Sequence, residues 1–441
     1  MPAINAADTA WLLAATTLVM LMVPGLAIFY GGMVRARSVL NTMMMTFVTL
    51  GIVTLVWVGW GYSLAFGKDH GHGLIGGFDQ VGLKNTMDEV YGTVPTPVFA
   101  MFQLMFALVT CALVSGSIVD RAKFSTWCVF MVIWTTVVYA PMAHWVFFSD
   151  GGNGGWIIDR LHVYDFAGGT AVEINSGASG LALALILGPR LGWKKDPMRP
   201  HNLPLVMLGA GLLWFGWFGF NAGSALGANA QAGLALVNTQ IAGALGILGW
   251  LAVERLRDGT FTSFGAASGA VAGLVAITPS CGSITPVGAI VVGAIAGAVC
   301  SFAVTVKYRA GYDDSLDVAG VHMIGGIVGL LMIGLVCSSQ ATGILTPDTH
   351  DGVDGLLYGG GLEQLGRQAV AVLAALGYSF TVTLLIGWVL HRTMGFRVLR
   401  DHEVSGVDLA LHSETAYELA PAGASSGRMT VSSGASDGLS G

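Results

Sequence analysis

The sequence predicts an all-α polytopic membrane protein of eleven transmembrane helices, set out as an inverted 5+5 repeat with one further C-terminal helix. Three observations carry this. The chain of 441 residues is 54% hydrophobic and only 10% charged, where a soluble domain has about 25% charged residues. Its apolar residues fall into runs long enough to cross a bilayer, which takes about 20 residues each. Its basic residues segregate to alternate sides of those runs.

The first run, 9–33, has no Lys or Arg before Arg35. It lacks the basic leader of a signal peptide and is longer than the apolar core of one, so it reads as a true first helix. Spans 39–65, 95–117, 123–143 and 166–188 complete the first half. Spans 203–221, 230–253, 262–278, 285–306 and 318–338 form the second, and 366–391 is the added helix. The sixth and eighth are the shortest. The 64 glycines suit helices that pack backbone to backbone.

Of the 20 Lys and Arg residues, only Lys68, Lys84, Arg160 and Arg367 lie on one side; the rest, from Arg35 and Arg37 to Arg400 and Arg428, lie on the other. The positive-inside rule then places the N-terminus outside the cell membrane and the C-terminus in the cytoplasm. An even helix count would scramble the separation. Residues 1–395 form the membrane domain, 396–419 a cytoplasmic regulatory tail, and 420–441 a Gly/Ser-rich segment expected to be disordered.

The net charge of −6 is small and dispersed, which gives no footprint for nucleic acid. Cys111, Cys128, Cys281, Cys300 and Cys337 stand singly in apolar spans without metal or redox spacing, and read as small buried hydrophobes. His70 and His72, in the acidic outer loop 66–94, have no further ligands nearby and read as solvated rather than metal-binding. No metal or other cofactor is expected.

Two buried stretches carry the functional signal: DFAGGTAVEIN (165–175) and DVAGVHMIGG (317–326). Each opens Asp-x-Ala-Gly and carries one further ionisable group, Glu173 or His322. Ionisable side chains inside spans are expensive and mark pathways by default. The pair predicts an acid and an imidazole facing one pore. Asp165 at the outer end of the fifth helix and Asp317 at the inner end of the tenth read as caps, Asp being a preferred helix N-cap; Asp165 also adds negative potential near the entrance. Matching motifs five helices apart and oppositely oriented are what an inverted repeat produces.

On these and other motifs the chain resembles the ammonium transporter (Amt/Mep/Rh) family, nearer its Amt branch. The matching segments are VPGLAIFYGGMVR (23–35), FQLMFALVT (102–110), DFAGGTAVEIN (165–175), HNLPLVMLGAGLLWFGWFGFNAGSA (201–225) and DVAGVHMIGGIVG (317–329), with GFRV (395–398) and SETAYE (413–418) in the tail. The resemblance implies a non-enzymatic carrier of ammonium/ammonia, with methylammonium as analogue. It also implies a homotrimer in the bilayer with one pore per subunit, and a PII-type signal protein as partner at the cytoplasmic face.

The resemblance further implies residue roles. Phe106 and Phe220 match two stacked phenylalanines that gate the pore, and Ser224 the hydroxyl of an outer cation site above Phe106. The family's outer-site Trp falls at Phe147 here, with Trp145 its neighbour, so either is the candidate recruiter. Glu173 stands where the usual bacterial pattern has the first of two pore histidines; His322 matches the second, and a Glu173–His322 proton relay is implied. An ammonium sensor signalling through the tail is the competing reading, although the tail carries no kinase or cyclase module. An intramembrane enzyme would need a nucleophile with its base, or a metal motif, in the spans, and none is present. A carrier of a bulkier amine would need a wider lumen than two phenylalanines leave.

Overall fold

The computed structural model describes residues 3–345 and 352–417; the segment 420–441 lies outside them. Among the described residues ten helices are long and apolar enough to cross a membrane, and a shorter apolar helix stands eighth in order. They are α1 (Ala6–Met33), α2 (Ala36–Phe66), α3 (Thr96–Ser115), α4 (Phe124–Phe147), α5 (Gly169–Leu187), α6 (Leu203–Gly223), α7 (Ala230–Asp258), α8 (Ser263–Ile277), α9 (Pro286–Ala310), α10 (Ala319–Val336) and α11 (Glu363–Thr393). The eighth runs only 15 residues. The sixth, expected to be short, runs 21. The fourth reaches Phe147 instead of stopping at 143, because His144 is fully buried within it and bonded with the Ala65 carbonyl.

Local chemistry sets many of the helix ends. Asn202, Asn229, Thr262 and Thr285 each accept a hydrogen bond from the backbone N–H three residues on, starting α6 to α9. The left-handed Gly259 and Gly311 close α7 and α9.

Helices five apart make equivalent contacts. α1 packs on α6, α3 on α5, α8 on α10, and α5 crosses α10. At that crossing Gly177 and Gly326 play reciprocal parts. A Cβ at Gly177 would lie 2.5 Å from the Met323 backbone N, and one at Gly326 would lie 2.9 Å from Glu173 Cβ. Only hydrogen at both positions lets the two backbones come this close.

α3 and α8 both stop early, in buried irregular loops that carry the same three residues: Gly116-Ser117-Ile118 and Gly282-Ser283-Ile284. Non-helical backbone at membrane depth must find its hydrogen bonds within the protein. After α8, Asn238 donates to the Cys281 and Ile284 carbonyls (2.8 Å each) and Gln231 to that of Gly282 (2.5 Å). After α3, the buried Arg121 guanidinium donates to the Ser117 carbonyl (3.2 Å) and across to that of Asp313 (2.6 Å). Each loop in turn accepts from the chain leading into one of the two crossing helices: Phe166 N–H to the Pro279 carbonyl (3.0 Å) ahead of α5, and Leu316 N–H to the Gly116 carbonyl (3.1 Å) ahead of α10.

The tail is laid across the end of the bundle that carries most of the basic residues. Residues 396–398 bridge to 121–123 through two backbone hydrogen bonds, Lys123 N–H to the Phe396 carbonyl and Val398 N–H to that of Arg121. Two short helices follow, α12 (Arg400–Ser405) and α13 (Val407–His412). The Glu403 carboxylate accepts from Leu191 N–H and Arg397, and that of Asp408 from the N–H groups of Leu40 and Asn41. The five cysteines are free thiols, four of them buried.

Candidate functional site

A file of cavities runs through the bundle. An outer vestibule of about 560 Å³ narrows onto Phe106 and is also lined by Phe147, Ser224, Gln103 and Asp165. Below it lies a narrow space between Leu26, Val109, Leu213, Trp217, Phe220 and the Glu173–His322 pair. His322, Phe29 and Val271 also line the next chamber. That chamber shares Met33, Phe264, Leu316 and Asp317 with an inner vestibule of about 600 Å³.

Between the outer vestibule and the narrow space, Phe106 and Phe220 stack with centroids 4.1 Å apart and planes 21° from parallel. Both rings are buried. They come from α3 and α6, so the barrier is built from both halves of the chain. Phe147, the last residue of α4, meets Phe106 edge-on at 6.1 Å. Ser224 lines the vestibule while its hydroxyl donates to the Phe220 carbonyl (2.9 Å); its lone pairs stay free to accept.

Trp145, expected beside Phe147, is not part of the vestibule. Two residues back along a helix is about 200° around its axis. The indole there packs on Trp156 and Tyr378, and its N–H donates to the Leu74 carbonyl (2.7 Å) in the outer loop. Of the two aromatic candidates, only Phe147 lines the vestibule.

Glu173 and His322 meet beyond the two stacked rings. Glu173 Oε2 and His322 Nδ1 share a hydrogen bond of 2.7 Å, with both side chains almost fully buried. Each residue sits on a π-helical turn, Gly169–Ile174 or Ala319–Met323. Such wide turns are frequent at functional sites. Nδ1 is committed to the carboxylate, which leaves Nε2 as the ring atom for the lumen. Trp217 adds a ring whose N–H is already satisfied by Thr278 Oγ1 (2.9 Å), so the rest of this narrow space is apolar.

Asp165 accepts from Gly168 N–H (3.0 Å), Gly169 N–H (2.5 Å), Thr170 N–H (2.7 Å) and the Thr170 hydroxyl. It caps α5 and borders the vestibule. Asp317 does not cap α10. Its φ of +62° is left-handed, whereas a cap needs extended backbone, and its carboxylate pairs instead with Lys307 Nζ (2.6 Å). The cap is Asp314, which accepts from Ala319 N–H (2.8 Å). Asp314 precedes His322 by eight residues, as Asp165 precedes Glu173. The Asp-x-Ala-Gly match between the two motifs is therefore out of structural register by three positions. Asp317 instead lies between the two inner cavities.

Sequence reasoning passed over Gln103. Its side chain is 6% exposed, lines the vestibule beside Phe106, and its Oε1 has no protein partner. The signal was an amide alone in an apolar span, within the FQLMF motif. His70 and His72 remain in the outer loop, and among the described residues no three His, Cys, Asp or Glu gather as metal ligands.

The arrangement has clear counterparts. The family model described as Ammonium Transporter Family matches residues 10–417. The chain belongs to the ammonium transporter family. It is 51% identical over 439 residues to an ammonium transporter of Mycobacterium tuberculosis, covering 95% of this chain and 91% of that one. To an ammonium transporter of Bacillus subtilis it is 43% identical over 417 residues, covering 93% and 98%. Among solved structures, Saccharomyces cerevisiae Mep2 superposes with a TM-score of 0.82 at 33% identity over 90% of this chain and 88% of that one. A structure titled "Sensor Amt Protein" gives 0.83 at 28% over 92% and 98%. The helices of this ammonium transporter family member thus enclose a file of cavities interrupted by two stacked rings, with a buried acid–imidazole pair on the far side of them.

Proposed function

We propose that this protein carries ammonium nitrogen across the cell membrane. The cation gathers at the outer aromatic vestibule, gives up a proton at the gate, and crosses the lumen as ammonia. The observation that carries the reading is the Glu173–His322 pair, alone in an apolar lumen behind Phe106 and Phe220. A charged group at the bilayer midplane costs at least about 2.5–3.5 kcal/mol on insertion scales, so the passage rejects the bare cation. Ammonium differs from alkali cations of similar size in that it can shed its charge as a proton, and the pair is placed to accept, pass or return it. Ser224 and Gln103 supply acceptors for ammonium N–H groups, and Phe147 and Phe106 supply ring faces.

The fold reading goes with this: eleven spans, α8 among them, built as an inverted 5+5 repeat plus α11. The reciprocal glycines, the paired Gly-Ser-Ile loops and the equivalent capping aspartates support it. The clustering of Arg and Lys with the tail supports a cytoplasmic C-terminus. The family resemblance supports a homotrimer. The sensor reading draws on the likeness to the structure titled "Sensor Amt Protein"; growth on limiting ammonium separates the two. Cells stripped of their own ammonium uptake are expected to grow when this protein is expressed. Expression in the membrane without growth would overturn the transport reading.

Restoring a Trp at Phe147 is expected to tighten apparent substrate affinity severalfold, since cation–π contacts at exposed sites are worth about 0.5–1 kcal/mol. Saturation curves for the two proteins decide this, and a looser curve for the Trp variant would remove residue 147 from the recruiting site.

The tail, bonded to the inner loops through Arg397, Glu403 and Asp408, borders the inner mouth and suits regulation by a PII-type signal protein. A chain ending after Ala420 is expected to bind that partner and transport like the full chain, and one ending after Met394 to lose the binding. Unchanged binding by the shorter chain would contradict a regulatory tail.

A further inference from the structure

On the outer face the loop after α2 folds back over the end of α4 and is tied three times to α4 and the segment that follows it. Trp145 Nε1 donates to the Leu74 carbonyl, and Trp156 N–H to that of Gly73 (3.1 Å). Gly73 is required there, since its φ is +84° and a Cβ would stand 2.8 Å from Trp156 N. In the third tie, His144 Nε2 lies 3.4 Å from Asp69 Oδ1.

That third tie differs in kind. His144 is fully buried and its Nδ1 lies 2.9 Å from the Ala65 carbonyl of α2. A carbonyl only accepts, so Nδ1 carries a proton. A neutral ring would then turn the Nε2 lone pair toward a carboxylate; the contact becomes attractive when Nε2 is protonated too, which burial of the ring opposes and the Asp69 carboxylate favours. Asp69 is prepared for such a partner. Burial opposes its ionisation, but the N–H groups of Gly73 (2.8 Å) and Gly71 (3.1 Å), together with His144, outweigh burial and hold its carboxyl below the usual range. Against the ring pack the Ala65 carbonyl from α2, Asp69 from the loop and, stacked at 4.8 Å, Phe148. Asp69 is the charged group among them.

His144 belongs to the last turn of α4, three residues before Phe147, which ends the helix over the gate. We infer that the Asp69–His144 contact is a positioning device that fixes Phe147 at the vestibule and so sets the affinity of the outer site. Neither residue lines the vestibule; both act through the ring that does. The inference rests on the reading of this vestibule as the entry for a cation.

The test compares full-length wild type, Asp69→Asn, Phe147→Ala and the double variant for methylammonium uptake in liposomes. Asp69→Asn keeps the size of the side chain and removes its charge. It is expected to raise the half-saturation concentration about threefold to fivefold, the range of one cation–aromatic contact, with the maximal rate unchanged. Phe147→Ala is expected to do the same. Because the pair acts through that ring, the double variant should match Phe147→Ala alone; two residues on one path are not additive. Additive effects, an unchanged half-saturation in either single variant, or a fall in maximal rate without loss of affinity would overturn the inference. Should Asp69→Asn not be recovered folded, Phe147→Ala still decides, because an indifferent ring leaves the pair nothing to position. Wild type without uptake would overturn the transport reading and this inference together, whereas wild-type uptake with an indifferent Asp69→Asn overturns only the inference.

Discussion

Replacing Glu173 with glutamine is expected to reduce ammonium-evoked current by roughly a hundredfold, the low end of what a positioned acid–base group contributes, while folded protein accumulates normally. Glutamine fills nearly the same volume, and its carbonyl oxygen can still accept from His322 Nδ1, so the crossing of α5 and α10 need not change. What goes is the carboxylate that shares a proton with the ring at 2.7 Å. Losing one of the two groups that hold this proton should change the pH profile along with the size of the current. Current and folded yield measured in the same membranes between about pH 5 and 8, where imidazoles titrate, check this. A wild-type current throughout that range would end the relay role of the pair.

Replacing Arg190 with alanine is expected to destabilise the protein by about 3–5 kcal/mol, the usual cost of removing one partner from a buried ion pair. Arg190 follows α5 and grips the Asp313 carboxylate with two parallel bonds of 2.9 Å, adds its own backbone N–H at 2.8 Å, and reaches Asp120 at 3.2 Å. The side chains of both aspartates are fully buried. Asp120 keeps Arg35 at 3.1 Å, whereas the Asp313 carboxylate loses every hydrogen bond it accepts from the Arg190 side chain. Burial pushes the Asp313 carboxyl up, but the Arg190 hydrogen bonds and charge, with help from Arg121, hold it below the usual carboxylate value. A carboxyl depressed by folding contributes stability above its unfolded pKa, near 3.9, and that stability is lost as pH falls through the folded value. The gap between wild type and variant should therefore be full at neutral pH and close under strong acid. Melting of detergent-solubilised protein at several pH values measures it. Equal melting temperatures at pH 7 would show that the network carries no stability.

Ten of the spans were legible because each is a long apolar run among the described residues. Edges were legible only where a cap or a break in hydropathy fell at the true end. α4 runs past 143 because His144 is polar in sequence yet buried and bonded in space. The Glu173–His322 pair could be read because an ionisable group in an apolar run stands out, and the family motif pointed to Phe106 and Phe220. Asp317 misled because two four-residue motifs matched in letters while the fold aligned Asp165 with Asp314; a cap depends on backbone conformation, which a short motif does not encode. Trp145 and Phe147 are neighbours in sequence but face different ways around α4. The Arg190–Asp313 and Asp69–His144 pairs join residues more than 70 positions apart, and no local pattern announces them.

The central claim, that nitrogen crosses through this chain itself, is tested most directly by uptake of labelled methylammonium into liposomes containing only the purified protein. The account predicts saturable uptake that ammonium competes away and that falls sharply when Glu173 is replaced by glutamine. Folded protein that admits no methylammonium, or admits it equally with and without the Glu173 carboxylate, would contradict it.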